Sequence, residues 1–247
     1  MEQAQQIFTT ALRSIIEEVS NVLHHPVEIT TVSRPRHFND SSQEAVIIAA
    51  MQTEPTMKQP WQVIDSVNAA RLAYGLDTCA GLGFNENGCD MEEEVHLIVF
   101  MEYNPDYLEL TVAEVTEDTC GIEGHRWLQA LGSAALDHTP YRETHFREVR
   151  DALQAFMVEA HLTPDHPHKW NAIRAIVISG EAPESAFGDL LRWIPTVLGE
   201  HQDKIRSSID PWYVGAVGAA QRGRYQMLTP SFLDDMPLGN RVLHDEL

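Results

Sequence analysis

The segment HLIVFMEYNPDYLELTV, residues 96–112, constrains the fold most, because it predicts two strands joined by a short turn. Its first part, residues 96–101, is almost continuously apolar, which is typical of a fully buried strand. Its last part, residues 107–112, alternates and is rich in residues that favour β-structure. Such a turn at the centre of a mixed chain can cradle a phosphate when it is built from glycines. Here the turn, Glu102-Tyr103-Asn104-Pro105-Asp106, is bulky and acidic and contains a proline.

Helical and strand patterns alternate along the rest of the chain, which favours an α/β domain. The patterns predict helices over residues 5–23, from Asn39-Asp40-Ser41 to 51, and over 61–76, 124–137, 144–161, 184–198 and 210–225. Further strands are predicted over residues 27–33 and 172–180 and near 114–119, with loops at 77–94 and at Asp165–Lys169. The tail from residue 226 has no regular pattern.

The charge balance limits the choice of partners. The 247 residues carry a formal net charge of −20, which repels nucleic acids and anionic membranes, so neither is expected as a partner. No apolar run approaches the roughly 20 residues needed to span a bilayer, and no secretory leader is recognisable. We therefore expect a cytoplasmic protein, although the last four residues, His244–Leu247, resemble the HDEL signal for retention in the endoplasmic reticulum.

Several side chains could carry metal or nucleophile chemistry, and each has a simpler interpretation. Asp165, His166 and His168 could bind a metal, or they could be solvated loop residues. Cys79 and Cys89 could bind zinc, but without paired CxxC spacing they fit unpaired thiols in a reducing compartment, together with Cys120. There is no GxSxG motif of a serine hydrolase. We therefore predict no metal and no cofactor.

Four sequence landmarks occur in one order along residues 10–225. They are Phe38-Asn39-Asp40-Ser41, Ala73-Tyr74-Gly75-Leu76-Asp77, the strand and turn AIVISGEAP (175–183), and IDPWYVGAVGAAQ (209–221). In this order the chain resembles the 70-kDa heat-shock chaperone family of the actin-like ATPase superfamily, and its divergent fungal members in particular. The resemblance implies part of lobe I with the N-terminal helix (1–76), a loop (77–94), an essentially complete lobe II (95–225) and a C-terminal tail (226–247).

The departures from that family concern its nucleotide site. From the resemblance we expect no counterpart here of the family's first phosphate loop or of its substrate-binding domain. Where the second phosphate loop places an aspartate, glycines and a threonine, this chain has Met101, then Tyr103, Asn104 and Pro105, then Asp106. Tyrosine fills the space that glycines leave for phosphate, proline lacks an amide donor, and carboxylates repel a polyphosphate. In the adenosine motif Glu181 replaces a glycine. The resemblance therefore predicts a protein without ATPase activity.

A remodelled cleft is the best site hypothesis. Tyr103, Trp212 and Tyr213, and in the same region Met101, would form apolar walls, and the sparse polar groups would be Asn104, His37, Glu181 and Asp106. His37 could also be a simple surface histidine, and Trp212 and Tyr213 could pack under the sheet.

Besides a weak surviving nucleotide sensor, which the altered phosphate turn disfavours most, two functions remain open at this point. The first is a cofactor-independent cyclase or isomerase for a hydrophobic small molecule, such as a Diels–Alderase of fungal secondary metabolism. The second is a non-catalytic pseudo-ATPase scaffold that binds a protein partner. A homodimer is possible in either case.

Overall fold

A computed structural model of the chain describes residues 2–85, 88–138 and 142–228. The strands are β1 (Val32–Arg34), β2 (Val63–Asp65), β3 (Leu97–Tyr103), β4 (Leu108–Val115), β5 (Cys120–Leu128), β6 (Ile173–Ser179) and β7 (Ile205–Arg206). The α-helices are α1 (Glu2–Leu23), α2 (Asp40–Thr53), α3 (Ser66–Ala73), α4 (Ala135–His138), α5 (Arg142–Glu159), α6 (Pro167–Asn171), α7 (Glu184–Leu198) and α8 (Val214–Leu228). None of these helices is long and apolar enough to cross a membrane.

The larger sheet has the strand order β5-β4-β3-β6-β7, with β3 at its centre. Strand β3 pairs antiparallel with β4 through the short turn and parallel with β6. Every residue of β3 is buried, which confirms the predicted buried strand. Strands β1 and β2 form a separate parallel pair, with Val32 opposite Val63. The chain is therefore α/β with a mixed sheet, as predicted.

The alternation of side chains along β3 divides the core into two layers. Leu97, Val99 and Met101 face a cluster that includes residues of α5 and α7. Ile98 and Phe100 face the opposite cluster, which α3 and the first residue of α8 help to build. A third, smaller cluster joins α1 to α2 and to the region around β1 and β2.

Helices α3 and α8 approach each other at a glycine. A Cβ atom on Gly218 would lie 1.9 Å from the carbonyl oxygen of Ala69, which is far inside van der Waals contact. The small residues of the predicted Gly-Ala-Ala helix therefore serve this contact between two helix backbones. By contrast, a Cβ atom on Gly215, one turn earlier in α8, would meet only the Ser33 side chain at an ordinary 3.5 Å.

The prediction of a helix over residues 124–137 is wrong. Residues 120–128 form β5, which pairs antiparallel with β4, and only Ala135–His138 are α-helical in the rest of that segment. Burial alternates residue by residue along β5, the pattern of an edge strand with one face on the sheet. The helical spacing of these residues did not decide their structure, because residues 120–128 form backbone hydrogen bonds along the otherwise unpaired edge of β4.

Smaller corrections concern element ends. The predicted helix over 61–76 begins only at Ser66, because Val63–Asp65 pairs with β1. The predicted strand over 27–33 is reduced to β1, the loop at Asp165–Lys169 leads into the short α6, and α8 extends to Leu228. The remainder of the predicted tail, including His244–Leu247, lies outside the described residues.

Cys79 and Cys89 form a disulfide, so the prediction of unpaired thiols is wrong. Their Cα atoms are 5.8 Å apart because turns fold the chain back between them, including a hydrogen bond from the Phe84 amide to the Cys79 carbonyl. Cys120 is a free thiol, and burial raises its pKa to about 12. Disulfides are typical of oxidising compartments, so this one does not support the reducing setting behind the cytoplasmic prediction. The location stays a prediction.

The α3–α8 contact gives the first testable prediction. Gly218→Ala should lower the free energy of unfolding by about 1–3 kcal/mol, because the added methyl group forces two helix backbones apart. The matched control Gly215→Ala should leave stability unchanged or raise it by up to about 1 kcal/mol through helix propensity. Urea denaturation of both variants measures the difference, and equal stability of the two would contradict the packing described.

Candidate functional site

The β3–β4 turn is held against a second turn that follows β6. The amide of Asn104 donates to the carbonyl of Tyr107 at 2.9 Å, which closes the hairpin. The Asn104 side-chain oxygen accepts from the amide of Glu181 at 2.8 Å, and the amide of Ala182 donates to the carbonyl of Tyr103 at 3.1 Å. The Asn104 side chain therefore links the two turns through a hydrogen bond to the backbone.

Gly180 permits this close approach. It has a φ of 126°, and a Cβ atom at this position would lie 2.1 Å from the Tyr103 carbonyl oxygen. Its amide donates to the carbonyl of Pro211 at 3.2 Å. Gly180 is therefore required because two backbone segments approach each other closely at this point.

A third turn, which precedes α8, joins the first two. Trp212 donates its indole N–H to the carbonyl of Ala182 at 3.1 Å, and its amide is capped by the carboxylate of Asp210 at 3.0 Å. The Trp212 side chain remains 55% exposed. Three turns therefore meet beyond the carboxyl ends of the parallel strands β3 and β6, which is where open α/β sheets commonly bind ligands.

A cavity of about 460 Å³ opens beside Trp212. It lies between the first half of α7 and the segment from β7 to the third turn. Its walls are mainly apolar, and its polar groups are few. The lining residues are Ile178, Glu184, Phe187, Gly188, Leu191, Arg206, Ser207, Ile209, Asp210, Pro211 and Trp212.

Arg206 is the cation of this cavity. Its Nη2 donates to the carbonyl of Gly81 at 3.0 Å, which anchors the guanidinium to the loop before β3. Within the described part of the chain Nη1 has no hydrogen-bond partner. Arg206 therefore combines a fixed position with a donor available to a ligand.

A buried carboxyl lies behind the β3–β4 turn. Glu102 accepts from the Asn104 side-chain amide at 2.9 Å and from the Tyr107 hydroxyl at 2.7 Å, both on Oε1. Its Oε2 has no hydrogen-bond partner in the described structure. Burial, followed by the nearby charge of Glu109, raises the pKa of Glu102. Burial and the neighbouring Glu102 also raise the pKa of the Tyr107 hydroxyl.

Glu109 stands opposite Glu102 on β4 and is fully buried. His37 Nδ1 lies 2.8 Å from Glu109 Oε2, and His125 Nε2 lies 2.8 Å from Oε1. The His37 ring also stacks on Trp127 with 5.2 Å between ring centroids. One carboxylate thus joins the segment after β1 to both β4 and β5, an arrangement that we call the Glu109 clamp.

The predicted site residues divide into three groups. Asn104, Glu181 and Trp212 are brought together at the three turns, and of these Trp212 lines the cavity. His37 belongs to the Glu109 clamp instead. Asp106 is exposed at the hairpin tip. Tyr213 is 61% exposed and is not among the residues that line the cavity beside Trp212.

Tyr103 does not form an open wall of a cleft. Its side chain is fully buried in the core layer that includes α5 and α7, and its hydroxyl lies 2.9 Å from His145 Nε2. Met101 is buried in the same layer. The expectation of exposed apolar walls at these positions is therefore corrected, because alternation along β3 directs both side chains into the core layer that includes α5 and α7.

Sequence reasoning missed the residues that do line the cavity. Phe187 and Leu191 lie four residues apart on α7, a spacing that also fits an ordinary core-facing helix. Arg206 follows a six-residue 3₁₀ segment with no motif of its own. Glu109 and His125 are brought together by the pairing of β4 with β5, which the sequence did not predict. No pattern in the sequence could have identified these contacts.

A second, more open cavity of about 550 Å³ lies between α3 and α8. Charged side chains of both signs line it, including Arg71, Arg224, Asp77 and Glu117. Arg71 is buried and donates to the carbonyls of Thr116, Glu117 and Asp118, so it holds the β4–β5 turn in place. This cavity is larger, but it lies away from the three turns and has no apolar wall comparable to α7.

Comparison with known proteins gives a distant chaperone relationship. No family model matches the chain. Chaperone protein dnaK3 of Thermosynechococcus vestitus is 33% identical over 73 residues, which is 30% of this chain and 10% of that protein. Chaperone protein dnaK1 of Prochlorococcus marinus is 28% identical over 76 residues, 31% of this chain and 11% of that protein. The aligned part thus spans about a tenth of each relative, and the similarity supports a distant Hsp70-like relationship.

The Glu109 clamp predicts a specific loss of stability. Glu109→Gln should lower the free energy of unfolding by about 1–3 kcal/mol, because one of the two imidazoles loses its acceptor on this buried side chain. Asp106→Asn is the control, since this carboxylate is exposed at the hairpin tip and its loss should change stability by about 0.5 kcal/mol or less. Urea denaturation monitored by circular dichroism tests both, and wild-type stability of Glu109→Gln would contradict the clamp.

The raised pKa of Glu102 predicts that the stability difference between wild type and a Glu102→Gln variant changes with pH. Its folded-state pKa is raised, so its contribution to stability is complete below the ordinary glutamate pKa of 4.5 and is lost as pH rises through the folded pKa. Glu102→Gln, which resembles the protonated acid, should match wild type near pH 4 and gain relative stability toward neutral pH. Unfolding measured across this range tests the sign, and a variant that loses relative stability as pH rises would refute it.

Proposed function

We propose that this protein is a nucleotide-incompetent relative of the Hsp70 ATPase domain that binds a small apolar molecule in the cavity beside Trp212. The proposed activity is a cofactor-independent cyclisation or isomerisation of that molecule, of the kind used in fungal secondary metabolism. The observation that carries the proposal is the cavity itself, with apolar walls from α7 and one anchored guanidinium. The Hsp70 likeness covers less than a third of the chain and does not by itself indicate this activity.

The cavity has the size and make-up of a small-molecule site. Its volume of about 460 Å³ lies within the usual range for such pockets. Phe187, Leu191 and Trp212 offer apolar and aromatic surface, whereas Arg206 supplies a hydrogen-bond donor. A molecule with a hydrocarbon body and one carbonyl oxygen would satisfy both parts. A polyphosphate would instead place its charge near Glu184 and Asp210.

The proposed chemistry needs position and polarisation only. In a pericyclic cyclisation, new carbon–carbon bonds form from π electrons of the substrate itself, so no proton or electron leaves the molecule. A cavity that holds the reacting carbons in contact supplies the orientation. A hydrogen bond from Arg206 Nη1 to a conjugated carbonyl would draw electron density toward oxygen and lower the barrier further.

The β3–β4 turn supports the expected loss of nucleotide binding. The amide of Asn104 is used within the hairpin, and Pro105 has no amide to donate. The Asn104 side chain is used on both its oxygen and its nitrogen. The buried Glu102 carboxyl behind the turn would further oppose a phosphate. We therefore expect neither ATP nor ADP to bind at this turn.

A scaffold function is the second candidate, and the surface of α1 favours it. Ile15, Val19, Val22 and Leu23 leave large apolar side chains exposed along one stretch of this helix. Contiguous exposed apolar surface often marks a protein interface. Under this alternative, a protein partner or a second copy of the chain would cover α1, and the cavity would have no catalytic role.

Gly188 allows the cavity to be filled without disturbing the fold. It lies on α7 at the cavity wall, and a Cβ atom there would meet nothing within 4 Å. Gly188→Leu should abolish binding of anilinonaphthalene sulfonate, an anionic dye with an apolar aromatic body, whereas Gly188→Ala should preserve it. Both variants should be more stable by about 0.5–1 kcal/mol through helix propensity. Dye fluorescence and thermal unfolding measure the two effects.

Three outcomes would count against the proposal. Equal dye binding by wild type and Gly188→Leu would place the apolar site elsewhere. Loss of dye binding in Val22→Lys instead would favour the α1 surface and the scaffold function. A rise in melting temperature with magnesium and ATP or ADP would contradict the loss of nucleotide binding.

A further inference from the structure

Two exposed histidines meet where α5 ends and α6 begins. His161 follows α5, and His166 immediately precedes Pro167, the first residue of α6. His161 Nδ1 lies 3.2 Å from His166 Nε2, and the ring centroids are 4.7 Å apart with the planes at 89°. Sequence reasoning considered His166 as a metal ligand, but it could not pair it with His161.

The backbone holds this pair in place. The amide of His161 donates to Val158 at 3.1 Å, and the amide of His166 donates to Thr163 at 2.8 Å, so both histidines lie in hydrogen-bonded turns. His161 has a φ of 57°, in the left-handed region that few residues other than glycine adopt. This conformation ends α5 and turns the His161 ring toward His166.

The nitrogen separation suits two ligands of one metal ion. A metal–imidazole bond is about 2.1 Å long, so two nitrogens on one ion lie about 3–3.4 Å apart. A linear N–H···N hydrogen bond would hold the ring centroids about 5.5 Å apart. The observed 4.7 Å therefore means that any such hydrogen bond is bent. The same separation therefore fits a bent hydrogen bond in the metal-free protein and two ligands of one ion.

We propose that His161 and His166 chelate one divalent transition metal ion, of the class that imidazole prefers: Zn²⁺, Ni²⁺ or Cu²⁺. Within the described ranges no group of three or more His, Cys, Asp or Glu side chains could hold a metal. Water therefore completes the coordination, or a side chain that moves on binding does so. The inference is independent of the small-molecule cavity and goes beyond the function proposed for it.

The surroundings accept a cation. Asp165 and His168 line the same open cavity of about 470 Å³ as the two histidines, which makes them candidates for a third ligand. Lys169 also lines it, but its Nζ forms an ion pair with Glu123 at 2.9 Å, which offsets its charge. A bound ion would tie the end of α5 to the start of α6 and restrict the turn between them.

Calorimetric titration of the full chain with zinc chloride, and separately with nickel chloride, tests the site. We expect one ion per chain and a loss of affinity of about tenfold or more in His161→Asn and in His166→Asn, since even changes outside the ligands often have this effect. Asparagine suits position 161 because it tolerates the left-handed conformation. The control is His24→Asn, since His24 is also exposed and left-handed, with a φ of 56°, but follows α1.

The variants also separate the outcomes. Wild-type affinity in the double variant His161→Asn, His166→Asn would overturn the proposal, as would an equal loss of affinity in His24→Asn. A loss in Asp165→Asn or His168→Gln supports it and identifies the third ligand. Unchanged affinity in both of those variants supports a chelate that water completes. Thermal unfolding with and without metal reports whether the ion stabilises the chain.

Discussion

The Glu109 clamp is the interaction on which the relative placement of the two sheets depends. A buried carboxylate is unfavourable unless both of its oxygens find partners, and here His37 and His125 supply one each. His37 comes from the segment after β1, whereas Glu109 and His125 come from β4 and β5. The contact fixes the small β1–β2 pair against the larger sheet, because a shift of one relative to the other would leave the buried Glu109 carboxylate without His37 as a partner.

From this clamp a chain of polar contacts reaches the three turns. Tyr107 packs its ring against His37 and donates its hydroxyl to Glu102, which also accepts from Asn104. Asn104 in turn accepts from the Glu181 amide. The Asn104 side chain therefore links the β3–β4 turn to the turn that follows β6. This explains why the turn is bulky and acidic without requiring that its side chains contact a ligand, and it moves the candidate binding site to the α7 side of Trp212.

Local patterns in the sequence predicted local structure well. The continuous apolar run of β3, the cap at Asn39 and the bounds of α7 all follow from side-chain type and spacing over fewer than twenty residues. The helix expected over residues 124–137 failed because the free edge of β4 is a tertiary feature. The prediction of unpaired thiols at Cys79 and Cys89 failed for a related reason. A separation of ten residues along the chain does not show how closely the intervening turns bring the two cysteines together.

By itself, the sequence determined the α/β class and the central hairpin with its bulky, acidic turn, because each depends on residue type and neighbouring spacing. The tertiary structure decided which predicted site residues face a cavity. Tyr103 turned inward because alternation along β3 places it beside Met101, while Asn104 and Trp212 met through turns that are far apart in the chain. Arg206 and His125 likewise acquired their partners, Gly81 and Glu109, only through the tertiary fold. Contacts between distant segments follow from packing and strand order, which no local pattern encodes.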